Sequence, residues 1–378
     1  MYRRHTNFAM ESIEQPFSGG TVDFGRKVVC QVSRNGDLMH RVYLQVVLPA
    51  MSQTTGTVSW TRSVGHVLIS EVNIEIGGQS IDKHYGDYMH IWNQLTQTAE
   101  HEDGFNVMIG NTTALTTPAA AVPSATLYIP FHFWFCENAG LSLPLIALQY
   151  HDVKFNVTFN SAANCYITDN LLAPSSGTPS IANASLFVDY IYLDTDERRQ
   201  FAQVQHEYLI EQLQFTGTDS FAGSTLNEKL QFNHPVKELL WVFQLDANTV
   251  NGANRWTDYT DSGATLANAY IGNDVLATAR LQLNGQDRFS ARTGAYFNLV
   301  QPYQHHTRIP STGIYCYSFA LHPEQHQPSG SVNMSRIDNC TFNYTLTTGS
   351  ATGQIRVYAR NVNVLRIMAG MGGLAYSN

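Results

Sequence analysis

From Val42 to Leu48 the chain alternates strictly, with Val42, Leu44, Val46 and Leu48 on one side and Tyr43, Gln45 and Val47 on the other. A period of two is that of a strand with one face in a core, and Pro49 ends it. Asn35-Gly36 just upstream reads as a hairpin turn. The same pattern returns at Val72, Ile74 and Ile76 before Gly77-Gly78, and at Leu186, Val188, Tyr190 and Tyr192. It is cleanest where Val153, Phe155, Val157 and Phe159 alternate with Lys154, Asn156, Thr158 and Asn160. Phe131, Phe133 and Phe135 alternate with His132, Trp134 and Cys136, which predicts a strand with two partly buried faces, followed by a turn at Glu137-Asn138-Ala139-Gly140. After Gly78 the period changes: Tyr85, Tyr88, Met89, Trp92, Leu95 and Ala99 share one face of a helix. The spans Thr112 to Pro123 and Ser175 to Pro179 read as loops.

The second half repeats the first. Leu239, Trp241, Phe243 and Leu245 match the alternation of Val42 to Leu48, and Leu281-Gln282-Leu283-Asn284-Gly285-Gln286 matches Ile74-Glu75-Ile76-Gly77-Gly78-Gln79. An aromatic-rich segment follows each turn, Tyr85 to Trp92 in one copy and Tyr296-Phe297 with Val300 in the other; later, Phe155 to Phe159 finds its partner in Phe342 to Leu346. Asp194 and Glu197 have capping-box spacing ahead of a short helix over Arg198 to Gln203, the natural joint between the copies. The chain thus divides into residues 1–193, a linker at 194–212 and residues 213–378. Periodicity and duplication predict an all-β chain of two similar domains with few short helices, without fixing their topology.

Composition narrows what such a chain does. Charged residues make up 14% of the 378, against a usual figure of about 25%, so Asn, Gln, Ser and Thr carry the polar surface, which suits close contact with other proteins. A net charge of −8 leaves no basic footprint, and Arg3-Arg4 and Arg198-Arg199 are isolated pairs, so direct nucleic-acid binding is not expected. Cys30, Cys136, Cys165, Cys316 and Cys340 are odd in number and widely spaced, the mark of reduced structural thiols. No secretory leader and no apolar run of about eighteen residues occurs, which places synthesis in a reducing cytoplasm and makes sequons such as Asn156-Val157-Thr158 of little account.

The motifs that resemble chemistry have structural readings. Gly370-Met371-Gly372-Gly373-Leu374-Ala375 fits a dinucleotide-binding pattern but has no room for the helix that pattern needs, so it reads as a tail threading close to a neighbouring backbone. His322 and His326 flank Glu324, yet Pro323 opposes the helix a zinc site requires. The neighbours His305 and His306 would point apart on a strand, and the fourteen histidines are expected mostly on surfaces and loops. Asp194, Asp196 and Glu197 read as capping residues. Neither catalytic, cofactor-binding nor metal residues are expected.

The segment Glu137 to Val157, ENAGLSLPLIALQYHDVKFNV, closely resembles the major capsid proteins of nucleocytoplasmic large DNA viruses, the double jelly-roll family. The resemblance recurs at Arg3 to Ala9, Asp194 to Arg199, Tyr317 to Leu321 with Gln327 to Gly330, and Asn363 to Ser377, in the family's order along essentially the whole chain. It implies two consecutive eight-stranded jelly rolls in a structural virion protein. By the same resemblance, the protein forms a homotrimer, a pseudo-hexagonal capsomer that tiles an icosahedral shell beside neighbouring capsomers and minor capsid and penton proteins, with an internal membrane met only indirectly. Inter-strand loops, Thr112 to Pro123 and Asn248 to Gly263 among them, would form the outer surface. Family members usually carry a few tens of residues ahead of the Tyr2 to Phe8 landmark, so a missing N-terminal arm is also expected. Two rivals are a carbohydrate-active or carbohydrate-binding double β-sandwich, whose acids would leave no local signature, and a two-domain cupin, which needs an HxH pair this chain lacks.

Overall fold

Alternation becomes architecture in the same way twice. The computed structural model describes residues 6–169, 173–250, 252–262, 272–347 and 352–377; Arg3 to His5 of the first landmark, and Asn251 and Gly263 of one expected surface loop, lie outside them. Beside short pairings, the barrel of the first half is built on β1 (Phe8–Gln15), β2 (Lys27–Gln31), β3 (Leu38–Leu48), β4 (Ile69–Ile76), β5 (Gln79–Tyr85), β6 (Ala125–Pro130), β7 (Val153–Phe159) and β8 (Asn183–Leu193). The second half holds β9 (His206–Ala222), β10 (Thr225–Leu230), β11 (Pro235–Leu245), β12 (Leu276–Leu283), β13 (Gln286–Asp287), β14 (Ile314–Ser318), β15 (Cys340–Leu346) and β16 (Thr352–Met368).

In the first barrel one sheet runs β1-β8-β3-β6 and the other β2-β7-β4-β5; in the second the orders are β9-β16-β11-β14 and β10-β15-β12-β13. Every strand of one barrel has its counterpart eight strands later, and all of these ladders are antiparallel. Mostly non-sequential neighbours in two facing sheets are the jelly-roll arrangement. Even the hairpins agree: Gly77-Gly78 joins β4 to β5 and Asn284-Gly285 joins β12 to β13, all four residues at positive φ, as two-residue turns between twisted strands require.

Leu44, Val46, Phe133 and Phe155 are central to the first core, and Trp241, Phe243, Tyr315 and Phe342 to the second. Helix α1 (Gly86–Thr96) follows β5, α2 (Ala99–Met108) follows α1, α3 (Thr195–Gln203) joins the barrels, and α4 (Gln301–His305) continues a π-helical turn at Tyr296–Val300. The expected helix thus begins only after a further strand, and Ala99 opens α2 instead of closing α1. At 11 residues α1 is slightly longer than α2 at 10. Helix α3 starts at Thr195, its first N–H bonded to Asp194 Oδ1 at 2.8 Å. Strand β9 begins at His206, inside the span expected to be linker, and Ile210 on it packs into the first core.

Two readings of the sequence are corrected. Phe131 to Cys136 is not a strand: β6 ends at Pro130, three residues without regular structure follow, and Trp134–Glu137 is one helical turn closed by Cys136 N–H to Phe133 O at 2.8 Å. Phe131, Phe133, Trp134, Phe135 and Cys136 are all buried, and a run buried on every side alternates by chance, without a solvent face to set its period. The expected loop Thr112 to Pro123 contains a helical turn, Thr113–Thr116, and a short strand, Ala121–Val122, paired with Met51–Ser52.

Candidate functional site: the seam between the barrels

The two barrels meet where α1 of the first lies across the β11–β14–β16 face of the second. One side of α1 supplies Tyr88, Ile91, Trp92 and Leu95, and the second barrel answers with Leu240, Val242, Ile314, Cys316 and Tyr358. This contact explains why β11 is buried on both faces, unlike its counterpart β3.

Around this apolar patch lies a buried ionic network. Arg360 Nη1 donates to Glu238 Oε1 at 2.8 Å, its Nη2 pairs with Glu211, and its guanidinium sits 3.8 Å from the Trp92 ring centroid. Lys237 Nζ also reaches Glu211, and donates to Gln325 O at 2.8 Å. His306 lies between two carboxylates: Nδ1 is 2.9 Å from Glu324 Oε1, and Nε2 is 2.9 Å from Glu238 Oε2 as an ion contact without hydrogen-bond geometry. Burial opposes charge on His306, but Glu238 and Glu324 outweigh it and push the imidazole up to about 12. Burial likewise opposes charge on Glu238, and His306 with Arg360 overrides it, holding the carboxyl at about 2. Lys237, Arg360 and His306 therefore balance Glu211, Glu238 and Glu324, which is how six ionisable groups lie at a seam without unpaired charge. A second pair, Arg356 Nη1 to Asp87 Oδ2 at 2.6 Å, ties the start of α1 to β16, and Arg308 Nη2 to Glu102 Oε1 at 2.7 Å ties α2 to the segment that follows α4.

The C-terminal tail is the second fastener. Strand β17 (Met371–Leu374) folds back on β16 after a turn in which Ala369 and Gly370 both have positive φ. It presses on the crossover of the first barrel: Tyr150 N–H donates to Gly370 O at 3.0 Å, and His151 Nδ1 is 3.0 Å from Gly372 O. A Cβ on Gly370 would fall 2.5 Å from the Tyr150 ring and one on Gly372 2.7 Å from Leu148 Cδ2, so the glycines are what close approach demands. The dinucleotide-like motif is a packing device, as its sequence context suggests.

The other residues singled out from sequence fall around the same seam. Glu324 is the partner of His306, and Pro323 O accepts from Arg360 Nη1 at 3.3 Å, while His322 is exposed and His326 half-buried in an irregular segment. His305 Nδ1 lies 2.9 Å from Leu321 O. The expectation that histidines are mostly on the surface fails in part: His40, His66, His84 and His90 are buried, and so is the imidazole of His306. Burial lowers His66 well below the ordinary range, with His90 and His132 adding to it, and burial takes His90 down to about 4. Nothing local could have shown the His306 pairing, because its carboxylates stand on another strand and another loop. In the expected outer loop from Asn248, Arg255, Asp258 and Thr260 are buried, Arg255 pairs with Asp258, and Asn254 Nδ2 donates to Ala163 O and Tyr166 O of the first barrel at 2.6 and 2.7 Å. All five cysteines are free and buried. Among the described residues no group of three or more His, Cys, Asp or Glu side chains is placed to hold a metal.

Two jelly rolls locked side by side by neutralised charges, aromatic packing and a glycine tail define a structural protein of the double jelly-roll class. Comparison with known proteins is specific. The family described as "Major capsid protein N-terminus" matches residues 1–194, and that described as "Large eukaryotic DNA virus major capsid protein" matches residues 197–373. The major capsid protein of Pyramimonas orientalis virus is 52% identical over 100% of this chain and 93% of its own length; that of Phaeocystis pouchetii virus is 46% identical over 100% and 94%. Among solved structures, a quasi-atomic model of the PBCV-1 virus capsid superposes with TM-score 0.86 at 37% identity, covering 100% of this chain and 99% of that one. The Faustovirus major capsid protein shares the fold, with TM-score 0.84 at 14% identity over 97% and 92% of the two chains. The chain belongs to the major capsid protein family of large eukaryotic DNA viruses; it is a structural component of the virion and not an enzyme.

Proposed function

We propose that the chain assembles as a homotrimer, a capsomer in which six similar barrels approximate a hexagon, and that these capsomers tile the faces of an icosahedral shell. The observation that carries this reading is the strand-for-strand duplication of one barrel within a chain whose two copies are rigidly joined. A threefold object built from such chains presents six near-equivalent sides, so hexagonal packing needs no sixfold chemical symmetry. In this reading the barrels are residues 1–193 and the chain from β9 at His206 onward, with α3 in the linker between them, the subunit is made and assembled in host cytoplasm, and neighbouring capsomers, minor capsid proteins and penton proteins are its partners. It uses no catalytic residue, cofactor or metal, and contacts neither nucleic acid nor, except indirectly, the internal membrane. The low share of charged residues, 14%, suits extended protein–protein contact. A stable contact of this kind buries more than ~2,000 Å². Sedimentation or light scattering of the purified protein tests it: a mass of 126.3 kDa, three times the 42.1 kDa chain, is expected, and a monomer or dimer persisting at high concentration would defeat it.

A further inference from the structure

The duplicated barrels are not equally covered, and the difference identifies a surface. Gly86 opens α1 against the first residues of β4, where an added Cβ would fall 2.2 Å from Ile69 O; Gly294 opens the corresponding helical segment against the first residue of β12, where it would fall 2.2 Å from Leu276 O. Counting from these two glycines, Met89 and Phe297 are equivalent, and both are fully buried in their own barrel's core. The same count sets Tyr88, Ile91, Trp92 and Leu95 against Tyr296, Leu299, Val300 and Tyr303. The first set is 3%, 0%, 4% and 0% exposed, sealed in the seam; in the second Leu299, Val300 and Tyr303 are 47%, 40% and 78% exposed. An apolar face that is covered in one copy is thus bare in the other.

The receiving face is repeated as well. Aligning the ends of β3 and β11 makes Tyr43 and Gln45 equivalent to Leu240 and Val242, and the ladders then set Tyr128, Pro130 and Phe187 against Ile314, Cys316 and Tyr358. In the second barrel this face holds α1. In the first its residues are half-exposed or exposed, with Tyr43 stacked on Phe187 at 5.2 Å and edge-on to Tyr128 at 6.3 Å. Three aromatic rings on the solvent side of a sheet form an anchor patch of the kind that binding interfaces use. The ionic positions are exchanged between the copies: Arg41 stands where Glu238 does, and Asp189 where Arg360 does. The segment Gly294 to Thr307 carries no carboxylate, so it brings no like charge to Asp189.

We infer that the helical segment Gly294 to His305 of one copy docks on the Tyr43, Tyr128 and Phe187 face of a second copy of this chain, reproducing between chains the seam that α1 makes within one. This inference rests on the trimer reading and specifies its contact. The contact is heterologous, helix to sheet, and closes into a ring of three when each copy gives one surface and receives the other.

Two double variants test it. Leu299→Asp with Tyr303→Asp disables the donor face, and Tyr43→Asp with Tyr128→Asp the receiving face. Each alone should fall from 126.3 to 42.1 kDa with an unchanged far-ultraviolet dichroism spectrum. An equimolar mixture should give an 84.2 kDa dimer, twice the chain mass, since one intact donor face still meets one intact receiving face; that product also shows both variants folded. A trimeric wild type with either variant still trimeric, or with a mixture that stays monomeric, overturns the inference and leaves the trimer standing. A monomeric wild type sinks the trimer reading and this contact together.

Discussion

At the scale of single residues, the seam makes stability depend on pH through two kinds of histidine. His306 is held protonated to about 12, so its contribution is fully present below the ordinary histidine value of 6.5 and is lost as pH rises through the interval up to 12. Between pH 6.5 and 8, before the five thiols that burial holds up in the fold ionise appreciably in the unfolded chain, stability should fall with a slope approaching about 1.4 kcal/mol per pH unit. His306→Gln should flatten that slope in denaturant titrations, and an unchanged slope would remove His306 from the account. His90 works oppositely: lowered to about 4 by burial, it costs stability as pH falls from 6.5 towards 4. Glu238, held at about 2, contributes above pH 4.5 and loses that contribution as pH falls towards 2. Arg360→Met takes the guanidinium off Trp92 and leaves Glu211, Glu238 and Glu324 with only Lys237 and His306 to balance them, and should cost about 3–5 kcal/mol in chemical unfolding. A loss under about 1 kcal/mol would mean water reaches the site and screens it, as at exposed pairs.

At the scale of elements, glycine position separates two helices of similar length. Gly86→Ala would drive a methyl against His66 O and Ile69 O, at 2.1 and 2.2 Å, and should destabilise by about 1–3 kcal/mol. Gly104→Ala, in the middle of α2 with nothing within 4 Å, should stabilise by about 0.5–1 kcal/mol; thermal melts of the two variants should therefore move in opposite directions. The same contrast marks how far the sequence could be read. Strands with one wet face, β3, β7 and β8, announced themselves by alternation, and the matching turns at Gly77-Gly78 and Asn284-Gly285 exposed the duplication. Where both sides are buried, as from Phe131 to Cys136, alternation carried no information about backbone shape. The seam was harder still, for its charges come from β9, β11, β16 and two loops, each pair joined only by the fold. The glycine tail was legible as a close-packed thread because only small residues permit it, but its partner was not.

At the scale of the molecule, the barrels should unfold as one. A third apolar cluster bridges them, with the ionic network and β17 on the same boundary, so calorimetry should show a single transition; two resolved transitions would mean the seam is weaker than its contacts imply. Trp92→Ala removes both an apolar anchor and the ring over Arg360, and is the single change most apt to split that transition. The tail has a consequence for how the protein is made. Ile210, Leu365 and Ile367 lie in the core of the first barrel, and Gly372 rests on Leu148. On a ribosome the first barrel therefore emerges with gaps in its wall that are filled only after β16 and β17 have been made. Nascent chains and products that stop short of β16 would keep that wall open, prey for chaperones and proteases, while β16 and β17 close both barrels in the same act. Arrival of β16 and β17, and not the appearance of the first half, is then the moment at which a subunit becomes fit to join a shell.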